Sequence, residues 1–246
     1  MISESVRYGI DSIFNKEIFL FSLLLHLPFL FFLIIFNLAI YLEYFSSFIS
    51  LFYVIFLFLY TPIIFTSLVL ASHLKIKRKK IEYKKIIRDG LKNYYFKVFL
   101  VHLILYAIIF LIFLPSILLS LFFSIELFRL WIIAFIINSI FGIYIFFRIF
   151  LAPFAIILDK KKVRESFSFS WKISKGNVLR LFLIYIIGNI LIFVLGFILI
   201  GLFTVIFKNP LFNSILFIII SSLYSIYVYF SFSYSYLKFL KRKIKK

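Results

Sequence analysis

Arg148 is the residue whose type and position most strongly suggest chemistry, because it is a cation within a long apolar segment. It precedes Asp159 by eleven residues, about 15 Å of helix, so its guanidinium could lie near the middle of a bilayer. A cation at that depth needs a partner, and a backbone carbonyl, a polar side chain or a lipid phosphate could supply one. Alternatively, Pro153 bends the helix end and the long side chain snorkels to the membrane surface.

The polar, strongly basic stretch 159–177, between two long apolar segments, is the second candidate. Val163, Phe167 and Trp171 recur every four residues, which places them on one face of a helix. A helix with one apolar face and many cations is typical of a membrane interface. The candidate contacts for an anionic lipid head group or another anion are Arg148, Lys160, Lys161, Lys162, Arg164, Trp171, Lys175 and Arg180.

No catalytic constellation accompanies these cations. The chain contains no Cys, no phosphate-binding glycine loop, no nucleophile elbow, no zinc-protease motif and no paired carboxylates within its apolar segments. His26, His73 and His102 stand on different segments without metal-ligand spacing. We therefore expect no catalytic residue, no metal and no cofactor. An intramembrane lipid enzyme has no residues to support it.

A polar stripe in the last apolar segment supports a different function. Tyr224, Tyr227, Ser231, Tyr234 and Lys238 follow three-and-four spacing and would share one helix face. Together with Arg148 such a stripe could line a path in a small transporter or permease subunit. The alternative is that these residues form an aromatic belt at a membrane interface and join neighbouring helices.

Composition places most of the chain in lipid. Hydrophobic residues make up 65% of the 246 residues, against roughly 45–50% in a typical soluble domain. Six apolar runs are long enough to cross a hydrocarbon core, which takes about 20 helical residues. The predicted spans are 18–42, 48–71, 96–123, 130–158, 178–207 and 211–237.

The cations are distributed so unevenly that they predict the threading. Arg129, Lys208 and Arg148 are the only Lys or Arg residues outside the N-terminal segment, the stretches 72–97 and 159–180, and the C-terminal tail. Those four basic regions fall on one side of a six-span chain. The positive-inside rule then places both termini and both long connectors in the cytoplasm.

The predicted fold is therefore an all-α membrane protein, a single domain (1–246) formed by a bundle of six transmembrane helices with two cytoplasmic interfacial amphipathic helices at about 81–94 and 161–175. Each connector follows a span that contains a proline and ends at an Asn, Asn93 or Asn177. A parallel internal duplication would explain this likeness. So would the general tendency of cytoplasmic loops to be basic and aromatic.

The stretch around the second connector resembles a family signature. Arg148, Pro153, Glu165-Ser166, Ser170-Trp171 and Lys175-Gly176-Asn177 match the pattern of six-span integral membrane proteins of unknown function. That family is related to the membrane domain attached to some glycerophosphoryl diester phosphodiesterases. The resemblance implies the six-span layout and no catalytic role. The phosphodiesterase domain itself is absent from this chain, so that activity is not implied.

We therefore expect a non-catalytic multi-pass protein of the cell (plasma or inner) membrane with both termini cytoplasmic. Its basic cytoplasmic face would engage anionic lipid or a protein partner, which could be a second copy of the chain. Nucleic acid is not expected as a partner, because the cations are confined to short stretches beside apolar spans.

Overall fold

The computed structural model describes residues 2–41, 46–121, 125–207 and 210–244, which form ten helices and no strand. The helices are α1 (Ile2–Ile13), α2 (Lys16–Tyr41), α3 (Ser46–Ile76), α4 (Tyr83–Asn93), α5 (Tyr95–Leu121), α6 (Ile125–Ile149), α7 (Ala152–Asp159), α8 (Val163–Ser174), α9 (Val178–Phe207) and α10 (Pro210–Ile244).

Six helical segments within the described residues are long and apolar enough to cross a membrane, which confirms the predicted all-α class and the six long apolar helices. They are Lys16–Ile35, Phe52–Ile76, Tyr95–Leu118, Trp131–Asp159, Val178–Leu199 and Phe212–Leu240. The short connections predicted near 43–47, 124–129 and 208–210 lie wholly or partly outside the described residues.

The chain divides into two compact units. Unit 1 comprises Met1–Tyr95 and Leu183–Lys246, and unit 2 comprises Phe96–Phe182. In unit 1, α10 packs against α1, α2 and α3, while α4 packs on α3. The core of unit 1 is apolar, as the length and hydropathy of these helices require. Its most buried side chains include Ile18, Leu68, Ile226 and Phe230.

Helix α1 was not predicted, because residues 1–17 read as mixed polar sequence. Its buried face consists of Ser5, Gly9 and Ser12, small residues that allow a close approach to α10. Ser235 Oγ lies 2.9 Å from Ser5 Oγ, and the Lys75 ammonium donates to Ser12 Oγ at 3.0 Å. The start of the chain, the end of α3 and the end of α10 therefore meet at one end of unit 1.

In unit 2 the predicted span 130–158 is interrupted. Helix α6 ends at Ile149, α7 begins at Ala152, and Pro153 stands in the first turn of α7. Proline has no N–H to donate to the carbonyl four residues earlier, so an uninterrupted helix is disfavoured here. Helices α2, α3 and α5, by contrast, continue through Pro28, Pro62 and Pro115.

Gly188 tests the contact between α9 and α10 in unit 1. A Cβ at Gly188 would overlap the ring of Tyr227, whereas a Cβ at Gly201 on the same helix would meet nothing within 4 Å. We expect Gly188→Ala to lower the free energy of unfolding by about 1–3 kcal/mol, because the Tyr227 ring must move. The measurement is thermal unfolding in detergent, monitored by circular dichroism.

Gly201→Ala is the matched control, and it should leave the midpoint unchanged or raise it slightly, since Ala favours helix more than Gly. Equal destabilisation by the two substitutions would show that the contact with Tyr227 is not specific.

Candidate anion-binding site

The candidate site lies at the break between α6 and α7. Helix α8 packs against both helices there. Arg148 lies in the last turn of α6. Its backbone carbonyl accepts a hydrogen bond from the Ser170 hydroxyl at 2.9 Å and lies 3.0 Å from Ser174 Oγ, whose single proton is shared with the Ser170 carbonyl at 2.8 Å. The last carbonyls of a helix lack donors within the helix. Two serines of α8 satisfy this one and fix the position of α8.

The same contact places the Arg148 guanidinium against an aromatic ring. Its Cζ lies 4.2 Å from the centroid of Trp171 and 5.9 Å from that of Tyr144. A guanidinium at such distances is attracted to the ring face, and tryptophan is the strongest partner. The Arg148 residue is only 5% exposed, so most of its side chain is enclosed within unit 2.

The guanidinium has no acceptor among the described residues. Arg148 Nε is buried without a hydrogen-bond partner, and the described contacts give Arg148 no ion pair. A guanidinium carries five N–H donors, and a buried charge is expensive unless it is paired and hydrogen-bonded. The ring of Trp171 attracts the positive charge, but it is not a hydrogen-bond acceptor for the N–H groups, which point outward in the plane of the guanidinium. The site is therefore complementary to an anion with two or more oxygens.

The other predicted contacts surround the second connector without forming a closed pocket. Lys160, Lys162, Arg164, Lys175 and Arg180 are exposed. The Lys161 ammonium lies 4.4 Å from the ring centroid of Phe169, and Arg180 donates to the side chain of Asn177 at 3.1 Å. Among the eight predicted residues, Arg148 and Trp171 are the pair that the structure describes in direct contact.

The packing face of α8 differs from the one that its apolar residues indicated. Ser166, Ser170 and Ser174 are fully buried, while Val163 and Phe167 are half-buried and Trp171 is exposed. The regular spacing of these three serines was the available signal, because small polar residues on one face favour close helix packing. The apolar stripe remains on an accessible side of the helix.

The polar stripe of α10 makes helix contacts within unit 1. Tyr227 and Ser231 are fully buried, and the Tyr227 hydroxyl donates to the carbonyl of Ile184 at 2.9 Å. Ser231 lies against Gly9. Lys238 is paired with Glu4, and its hydrogen bond holds the pKa of Glu4 below the usual value.

Two histidines also have local partners. The His26 ring nitrogens lie 2.7 Å from the carbonyl of Ser22 and 3.1 Å from Ser225 Oγ, and His102 Nδ1 lies 2.8 Å from the carbonyl of Val98. Within the residues that the structure describes, no three His, Asp or Glu side chains are close enough together to hold a metal ion.

Comparisons with protein-family models, curated proteins and solved structures find no match to this chain.

The two serines that bind the Arg148 carbonyl can be tested together. We expect Ser170→Ala with Ser174→Ala to lower the free energy of unfolding by about 1–3 kcal/mol, because a buried carbonyl loses its donors. Amide hydrogen exchange across α8 should also become faster. Ser168→Ala, at an exposed position of α8, is the control. If α8 exchanges equally slowly in the double variant, these hydrogen bonds do not hold α8 in place.

Proposed function

We propose that this protein is a multi-pass membrane protein that binds the phosphate of an anionic lipid head group at Arg148. The observation that carries the proposal is a guanidinium that is 5% exposed, stacked on Trp171 and without a hydrogen-bond acceptor. On this account the protein is non-catalytic, and the bound lipid supplies the missing acceptor.

Phosphate suits this guanidinium for geometric and electrostatic reasons. Two parallel N–H donors of an arginine match two phosphate oxygens, and such charge-assisted pairs are stronger than neutral hydrogen bonds. Leaving a buried charge unpaired typically costs about 3–5 kcal/mol. A lipid whose phosphate places two oxygens against the guanidinium would remove that cost. We therefore expect such a lipid to stay bound during purification.

The surroundings of the site favour a lipid over a soluble anion. Trp171 is exposed on its other side, and tryptophan is enriched at membrane–water interfaces. The apolar stripe of Val163, Phe167 and Trp171 supports an interfacial position for α8. Exposed Lys160, Lys162 and Arg164 would add long-range attraction to an anionic leaflet.

Orientation in the cell (plasma or inner) membrane is part of the proposal. The distribution of Lys and Arg favours a cytoplasmic location for both termini and for both connectors. The resemblance of the second connector to that six-span family is compatible with a layout of six spans. The transporter alternative has less support, because Tyr227 and Ser231 are fully buried and make contacts between helices.

Arg148→Gln tests the head-group site directly. We expect its affinity for an anionic phospholipid, titrated by native mass spectrometry in mild detergent, to fall roughly 10- to 100-fold, because a charge-assisted pair is lost. In lipid-free detergent the variant should be at least as stable as the parent, since no buried charge is left unpaired.

Arg164→Gln removes the same charge from an exposed position of α8, and it should change the affinity less than twofold. Undiminished lipid binding by Arg148→Gln, or co-purification of a protein in place of lipid, would contradict the proposal.

The threading can be tested with a single cysteine, because the chain has none. Ser168→Cys should react with a membrane-impermeant maleimide in inside-out vesicles and remain unlabelled in intact cells, since α8 would face the cytoplasm. Ser124→Cys, in a predicted outer connection, should show the opposite pattern. Labelling of Ser168→Cys from outside would invert the proposed orientation.

A further inference from the structure

Unit 1 contains a groove of about 550 Å³ that combines cations with apolar side chains. Lys75, Arg78, Lys79 and Lys80 line one part of it, and Leu20 and Leu24 of α2 line another. A ligand that matches both the cations and the leucines is an anionic amphiphile, which has a charged head group and an apolar chain.

The cations are gathered by the way in which α3 ends. Arg78 has a φ of 54°, a conformation that a residue other than glycine adopts uncommonly. The N–H of Arg78 binds the Lys75 carbonyl, and the N–H of Lys79 binds the Leu74 carbonyl, both at 3.0 Å. This turn is typical of a helix C-terminus. It brings consecutive basic residues to the edge of the groove.

Three of these cations have no counter-charge. Arg78, Lys79 and Lys80 are exposed, and the described residues give them no ion pair. The Lys75 ammonium already donates to Ser12 Oγ at 3.0 Å. The sole acid of the lining, Glu17, accepts a hydrogen bond from the hydroxyl of Tyr83 at 3.4 Å.

Tyr83 remains a donor at physiological pH. Its ring lies 4.5 Å from that of Phe21, and burial, followed by the negative charge of Glu17, raises the pKa of Tyr83 to about 12. The Tyr83 hydroxyl therefore stays protonated, and the four cations of the groove lining outnumber its one acid, Glu17.

The apolar part of the groove continues along α2. Leu20, Leu24, Leu27 and Phe31 are all exposed, and their three-and-four spacing places them on one helix face. Phe31 follows Leu20 by eleven positions, about 16 Å along the helix. An acyl chain lying on this face would have its head group beside the cations.

We propose that this groove binds a phospholipid whose head group carries two negative charges. Its phosphate contacts Arg78, Lys79 and Lys80, and one acyl chain lies along Leu20 and Leu24. Clustered cations repel one another, so a second negative charge on the ligand is favourable here. The inference depends on the proposed membrane location of the protein and is independent of the anion site at Arg148.

The test compares two triple variants by native mass spectrometry at pH 8. Arg78, Lys79 and Lys80 are replaced by Gln in one, and Lys84, Lys85 and Lys92 in the other, which removes the same charge from exposed positions of α4 outside the groove lining. The probes are phosphatidic acid with two charges, phosphatidylglycerol with one, and glycerol 3-phosphate without acyl chains.

The parent protein should prefer phosphatidic acid to phosphatidylglycerol by at least about tenfold. The groove variant should lose that preference, and the α4 variant should keep it within twofold. Glycerol 3-phosphate should not compete. Arg148→Gln should leave the preference intact, which separates this site from the one proposed at Arg148.

Three results would overturn the inference. An equal loss in the α4 variant would mean that diffuse charge attracts the lipid. Competition by glycerol 3-phosphate at concentrations similar to the lipid would identify a site for soluble phosphate. Retention of an acidic protein in place of phospholipid would identify a protein partner.

Discussion

The arrangement of unit 2 depends on the contacts of two serine hydroxyls with a single backbone carbonyl. Helix α6 ends before Pro153, and the hydroxyls of Ser170 and Ser174 lie against the Arg148 carbonyl, which has no donor within the helix. These contacts fix the register of α8 on α6 and α7. Because Trp171 follows Ser170 directly, that register also brings the indole against the guanidinium.

The burial of the guanidinium follows from this register and has an energetic consequence. A cation held under an indole is shielded from water but retains its need for hydrogen-bond acceptors. No described residue supplies one to Arg148 Nε. An anion from outside the protein would remove that cost, and this is the physical basis for assigning the site to a lipid phosphate.

Much of this architecture could be predicted from the sequence. The two packing faces that could not be predicted have a common cause. The six long apolar helices follow from hydropathy. The break before Pro153 does not follow from proline alone, because α2, α3 and α5 continue through their prolines. Helix α1 and the buried face of α8 were missed. Helix α1 packs through Ser and Gly, and α8 packs through three Ser residues beside Ile173. Small residues of this kind give no hydropathy signal.

The two connectors share one packing feature and differ in another. Aligning Asn93 with Asn177 pairs Ile86 and Gly90, the buried residues of α4, with Ser170 and Ser174, two of the four buried residues of α8. An internal duplication would produce this agreement. Arg148 aligns with Ile64, which is buried in the apolar core of unit 1, so only unit 2 has a buried arginine at this position.

A density map of the protein reconstituted with anionic phospholipid would test the central claim most directly. The account predicts phosphate density within about 2.7–3.2 Å of the Arg148 guanidinium nitrogens, on the side that Trp171 leaves open. A guanidinium paired with a protein carbonyl or carboxylate, with no lipid phosphate beside it, would contradict the account.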